Sequence, residues 1–118
     1  MSSSNETVRI GDILRNAEHA IDYVGALSME AFADDALRVD ATERCIERIC
    51  EAAIKIGTDR LHDLRIDLDS AALRGLGNVL RHEYDAVDGL LIYDIVRRRL
   101  PPLCLQCERA LATLSDSR

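Results

Sequence analysis

The chain of 118 residues is long enough to bury one hydrophobic core and too short for two independently stable ones, so residues 1–118 read as a single domain, with 1–6 and 115–118 as tails. Apolar residues make up 47% and charged residues 31%, a balance that excludes a disordered or membrane-embedded chain; no run approaches the roughly 18 apolar residues of a membrane span. The net charge of −6 weighs against a nucleic-acid partner as a sum, but residues 1–69 carry 15 acids and 8 bases while residues 70–118 carry 6 and 7, so the C-terminal part is the one expected to face RNA.

The start, Met1-Ser2-Ser3-Ser4-Asn5-Glu6, lacks the basic-then-apolar order of a secretory signal, which makes a cytoplasmic location the expectation. From Val8 to Val24, Ile10, Ile13, Leu14, Ala17, Ile21 and Val24 recur at three- and four-residue intervals, predicting a first helix. After Gly25, Ser28-Met29-Glu30-Ala31-Phe32 offers a capping serine and a first-turn acid for a short helix, with Phe32 plugging the core. Ala41 to Ile56 sets Ile46, Ile49, Ala53 and Ile56 on one side of a long helix that Gly57 stops. Thr58 to Leu68 is charged and without a clean period, and reads as a loop with a helical turn and a solvent-facing His62.

Asp69 or Ser70 can cap a helix carrying Leu73, Leu76, Val79 and Leu80, and Asp88 another through Leu90, Leu91, Ile95 and Val96. Pro101-Pro102 should then interrupt the chain before a last helix ending near Leu114. Nothing alternates with period two, so the expected fold is all-α, an up-and-down bundle of about four to five helices. With four aromatic residues and no Trp, its core is aliphatic and offers no platform for stacking bases.

Four residues apart on one helix, Arg74, Asn78 and His82 share a polar strip, and Arg81 adjoins it in sequence. An imidazole that exchanges protons near neutral pH beside a guanidinium that clamps phosphate suits phosphodiester chemistry. The same spacing also fits a helix-ending histidine with solvated arginines, and both readings stay open on the residues alone. His82-Glu83 begins a zinc-protease motif, but Ala86 occupies the second ligand's place. Arg97-Arg98-Arg99 fits either a solvated helix end or an RNA or partner contact. Cys45, Cys50, Cys104 and Cys107 read as reduced, packed thiols; a zinc- or thiol-stabilised structural bundle is the other reading, although Cys104-Leu105-Gln106-Cys107 lies in a helical stretch without a flanking His.

Asn78-x-x-x-His82-x-Tyr84 followed by Val87-Asp88, and later Leu100-Pro101-Pro102-Leu103, resembles the HepT-like family of HEPN-domain toxins. Ile49-Cys50-Glu51-Ala52-Ala53 is similar to that family's I-G-E-A segment, and the first helix followed by Ser28 to Phe32 fits its N-terminal half, so the likeness runs from about Ile10 to Leu111. The resemblance implies a HEPN-like bundle and a homodimer whose cleft holds a ribonuclease centre that uses no metal or other cofactor. It also implies a minimal nucleotidyltransferase antitoxin as partner, which adenylylates the motif tyrosine. His82 would then act as general acid or base, Asn78 would position groups, Glu51 would project into the cleft, and Tyr84 would receive AMP. The family signature is R-N-x-x-x-H-x-Y, and Gly77 stands here in place of its arginine. Loss of one comparable electrostatic donor costs roughly 2.7–4 kcal/mol of transition-state stabilisation. Arg81, adjacent to His82, and Arg74, about 12 Å along the helix axis from it, are the candidate replacements. A dimer that keeps partner or nucleotide binding without hydrolysis is the alternative.

Overall fold

The computed structural model describes residues 2–68 and 89–116, with side chains from residue 5 onward. The first helix, α1, runs Ser2–Val24 and buries Ile10, Ile13, Ala17, Ala20 and Val24 completely, three and four residues apart on one face. It begins six residues before Val8, so residues 2–6 belong to a helix where a tail was expected. Glu6 explains part of this extension: its carboxylate takes a two-pronged hydrogen bond from Arg60, at 2.7 and 2.8 Å, which ties the first turns to a distant part of the chain.

Gly25, at φ 53°, ends α1. The short helix α2, Met29–Ala33, starts as the sequence suggests, with the Ser28 hydroxyl accepting from the Ala31 amide at 3.1 Å, and Phe32 is fully buried. The long helix α3 is Ala36–Ile56, five residues longer than its clean apolar stripe. Asp35 sets the start by accepting from the Arg38 amide at 3.2 Å, and Val39 in the added turn is buried.

Gly57 does stop α3, but at φ 93° it also launches α4, Thr58–Asp63, where a loop was expected. The reason is one residue: Leu61 is fully buried, and a single turn suffices to bury it. His62 is exposed, as expected. The helix ends in a Schellman turn, with Ile66 N–H bonded to the Leu61 carbonyl and Arg65 N–H to the His62 carbonyl. Arg65 occupies the left-handed position of that turn at φ 60°, where glycine is usual, and buried Leu61 and Ile66 supply its hydrophobic clasp.

The last described helix, α5, is a continuous Gly89–Asp116 that includes Pro101 and Pro102, which corrects the expected interruption and the separate last helix. Each proline removes a donor to the carbonyl four residues earlier, those of Arg97 and Arg98. Arg97, Arg98, Pro101 and Pro102 are all exposed, so water can satisfy those carbonyls. Leu100 and Leu103 on the opposite side remain buried and hold the helix against the core.

That continuity also corrects the position of the arginine triplet, which lies inside α5 rather than at a helix end. Its members have parted company. Arg97 donates to the Gly25 carbonyl at 2.5 Å and lies 5.0 Å over the Tyr93 ring, while Arg98 pairs with Asp94 at 2.9 Å. Tyr93 in turn donates to the Leu27 carbonyl at 2.9 Å and packs its ring 5.9 Å from that of Phe32. This cluster fastens α5 to the turn between α1 and α2.

Helix α1 packs along both α3 and α5, and α2 closes one end against α5. Among the described residues there are five helices and no strand, an all-α bundle as expected. None of these helices is long and apolar enough to cross a membrane. The helix expected from Asp69 or Ser70, with its Gly75 and Gly77, lies outside the described residues.

Candidate functional site

Of the six residues that the sequence marks for chemistry, Glu51 is described; Arg74, Asn78, Arg81, His82 and Tyr84 lie outside the described residues. What is described is how their segment is bracketed. On one side Leu68 is buried, 5% exposed, just after the α4 turn, and the adjoining Asp67 amide donates to the Gln106 side chain of α5 at 2.7 Å. On the other side Gly89 is buried at the start of α5, so close to α2 that a Cβ there would lie 2.9 Å from the Cα of Ala33. The described residues on either side of the motif-bearing segment are thus pinned to the bundle.

Glu51 sits on α3, exposed, in the wall of a groove of about 460 Å³ between α1 and α3. Arg48 and Lys55 share its wall at three- and four-residue spacing, while Arg9, Asp12, Arg15 and Asn16 line the facing wall from α1. Arg9 and Lys55 continue into an adjoining hollow of about 240 Å³ beside Asn5 and Glu6. Around Glu51 the groove gathers four cations against two carboxylates, in a chain whose net charge is −6. Arg15 is held by Asp12 at 2.7 Å, whereas Arg9, Arg48, Glu51 and Lys55 form no ion pair with any described residue.

Asn16 is the buried polar member of this site, 8% exposed, and its Nδ2 donates to the Asp12 carbonyl at 2.8 Å. That bond fixes which end of the amide is which, and leaves Oδ1 as the acceptor without a partner among the described residues. Reading apolar periodicity passed over these groove residues. The available signal was Asn16 itself, a polar residue between Ile13 and Ala17 on the face that packs.

Elsewhere on α3, burial, and then the neighbouring Glu47 and Asp40 charges, raise the Glu43 carboxyl above its ordinary range. The four cysteines are free thiols, with Cys45 and Cys107 buried. Burial pushes Cys107 up to about 12 and Cys104 to about 11, with Glu108 adding to both. A thiol whose pKa burial raises holds its proton near neutral pH and is a poor nucleophile. Among the described residues no three His, Cys, Asp or Glu side chains gather where they could hold a metal ion.

Comparison with known proteins places the chain in a family. The family model described as "Ribonuclease HepT-like" matches residues 13–110, which spans α1 from Ile13, the Glu51 wall, the bracketed segment and most of α5. Two similar proteins come from Methanocaldococcus jannaschii (strain ATCC 43067). One, named "Putative RNase MJ0125", is 26% identical over 105 residues, covering 89% of this chain and 90% of that protein. The other, named "Putative RNase MJ1380", is 26% identical over 108 residues, covering 92% of this chain and 98% of that protein. No solved structure matches the chain. The chain belongs to the HepT-like ribonuclease family.

Proposed function

We propose that the protein is an endoribonuclease of the HEPN type, acting as the toxin of a toxin–antitoxin pair. The observation that carries this reading is the family match over residues 13–110, which encloses the motif Asn78-x-x-x-His82-x-Tyr84. In the proposed reaction the RNA 2′-hydroxyl loses its proton to a general base and its oxygen bonds to the adjacent phosphorus. The bond from phosphorus to the 5′-oxygen breaks, and that oxygen takes a proton from a general acid. His82 serves as acid or base, Asn78 positions the reacting groups, and Glu51 lies in the same cleft of a homodimer. Arg81 or Arg74, from either protomer, stabilises the charge that builds on the phosphoryl oxygens in place of the arginine that Gly77 replaces. No metal or other cofactor takes part. A minimal nucleotidyltransferase antitoxin neutralises the toxin by transferring AMP to the Tyr84 hydroxyl, and the pair works in the cytoplasm.

A second reading rests on Gly77 itself. Without the motif arginine, the same dimer would keep its partner and nucleotide contacts and lack hydrolysis. Incubating the purified protein with total RNA in EDTA, beside its His82→Ala variant, separates the two. His82-dependent decay supports the nuclease; equal decay in both samples sinks it. Mass spectrometry after co-expression with the neighbouring open reading frame should find AMP on Tyr84, and an unmodified tyrosine would contradict the antitoxin assignment.

A further inference from the structure

We propose that the groove between α1 and α3 is a track for the backbone of single-stranded RNA, with Arg9, Arg48 and Lys55 as its phosphate contacts and Asn16 as an acceptor for a ribose hydroxyl. This inference rests on the ribonuclease reading and extends it to residues that the family motif does not include. Three features of the groove support it. First, its cations come from both walls, so that a strand lying between α1 and α3 meets positive charge on either side. Second, Arg9, Arg48 and Lys55 are not consumed by ion pairs with described residues, unlike Arg15 in the same groove and Arg38, Arg44, Arg60 and Arg98 elsewhere on the surface. Third, the groove is not uniformly cationic: the Oδ1 of Asn16 and the carboxylate of Glu51 are acceptors among the cations. Phosphate oxygens need donors and a ribose 2′-hydroxyl needs an acceptor, and this lining provides both.

Length agrees with this assignment. Arg48 and Lys55 are seven residues apart on α3, about 10 Å at 1.5 Å per residue, so they meet different phosphates of one strand. The adjoining hollow at Asn5, Arg9 and Lys55 extends the track toward the start of α1. The placement also explains how an acidic chain can hold RNA: the sum over residues 1–69 is negative, but helical spacing collects four of the eight cations of that part on facing strips of α1 and α3.

The test measures binding of a fluorescein-labelled single-stranded RNA oligonucleotide by the full-length His82→Ala protein, so that cleavage does not intrude, across 50 to 200 mM salt. Three phosphate contacts contribute a slope of about −2.1 in log affinity against log salt, a loss of about 18-fold over that range. Arg48→Gln with Lys55→Gln should weaken binding and flatten the slope by about 1.4, while Arg48→Lys with Lys55→Arg, which keeps both charges, should restore it. Arg109→Gln, on α5 outside the groove, should leave the slope unchanged. DNA of the same sequence should bind more weakly than RNA, and Asn16→Ala, which removes the acceptor, should reduce that preference.

If the parent binds RNA and the double variant binds it with an unchanged slope, or if Arg109→Gln flattens it as much, the track is refuted and the nuclease reading stands. If the parent binds no RNA, both fall together. A fluorescein-labelled polyglutamate peptide, run in the same titration, covers the case of an acidic protein segment: its loss from the groove variants with RNA binding intact would refute the assignment to RNA.

Discussion

Two glycines should respond in opposite directions to the same substitution. At Gly11, inside α1, nothing lies within 4 Å of the position a Cβ would take. Gly11→Ala therefore removes backbone freedom from the unfolded chain at no steric cost and should stabilise by about 0.5–1 kcal/mol. At Gly89 the added carbon would meet Ala33 Cα at 2.9 Å, Ala33 Cβ at 3.2 Å and Val39 Cγ2 at 3.3 Å. Carbon pairs are at rest at about 3.5–4.0 Å, so either α2 or the first turn of α5 must move, and the nearest obstacle is backbone. Overpacking of this kind costs about 1–3 kcal/mol, which exceeds the helix-propensity gain of at most about 1 kcal/mol at a first-turn position. Gly89→Ala should thus destabilise by about 1–2 kcal/mol. Urea titrations at one fixed protein concentration read both effects: with a slope near 2 kcal/mol/M, the midpoint should rise by about 0.3–0.5 M for Gly11→Ala and fall by about 0.5–1 M for Gly89→Ala. A rise in both midpoints would refute the close approach of α2 to α5. Because Gly89 anchors the end of the motif-bearing segment, Gly89→Ala should also slow RNA cleavage, whereas Gly11→Ala should not.

The remaining predictions concern side chains. Tyr93→Phe removes the hydrogen bond to the Leu27 carbonyl and keeps the ring against Phe32, so it should cost about 0.5–1.5 kcal/mol by urea titration; no change would mean that the bond does not hold α5 to the turn. The thiols of Cys104 and Cys107 are pushed up to about 11 and about 12 from an ordinary value of 9.0. The unfolded chain then loses these protons first, so their contribution to stability is complete below pH 9 and declines as pH rises toward 12; a urea midpoint that rises from pH 9 to pH 10.5 would contradict this sign. Arg65→Gly replaces an arginine held at φ 60° in the Schellman turn and should stabilise by about 0.5–1 kcal/mol, and a lower midpoint would show that the Arg65 side chain contributes more than its backbone strain costs.

Much of the fold was legible because burial follows helical period. Ile10, Ile13, Ala17 and Val24 in α1, and Ile46, Ile49 and Ala53 in α3, pack as their spacing implies, and Ser28 caps α2. The misreadings share a cause: local signals yield to single tertiary contacts. A buried Leu61 draws a charged stretch into α4, the Glu6–Arg60 pair holds the start of α1, and the buried Leu100 and Leu103 hold α5 against the core across its Pro-Pro pair. The site was legible only as a pattern. Inside the matched span of residues 13–110, His82, Asn78 and Tyr84 stand out as a spaced motif, which periodicity alone leaves open between a helix end and an active centre, and they lie outside the described residues. The groove around Glu51 was not legible, because its two walls are 30 to 50 residues apart in sequence and meet only once α1 lies along α3.

The chemistry of the RNA ends tests the central claim most directly. In EDTA, the protein should leave products with a 2′,3′-cyclic phosphate and a 5′-hydroxyl, none should form with His82→Ala, and an oligonucleotide with 2′-deoxyribose at every position should remain intact. Products with a 3′-hydroxyl and a 5′-phosphate, or the same products from His82→Ala, would contradict the account.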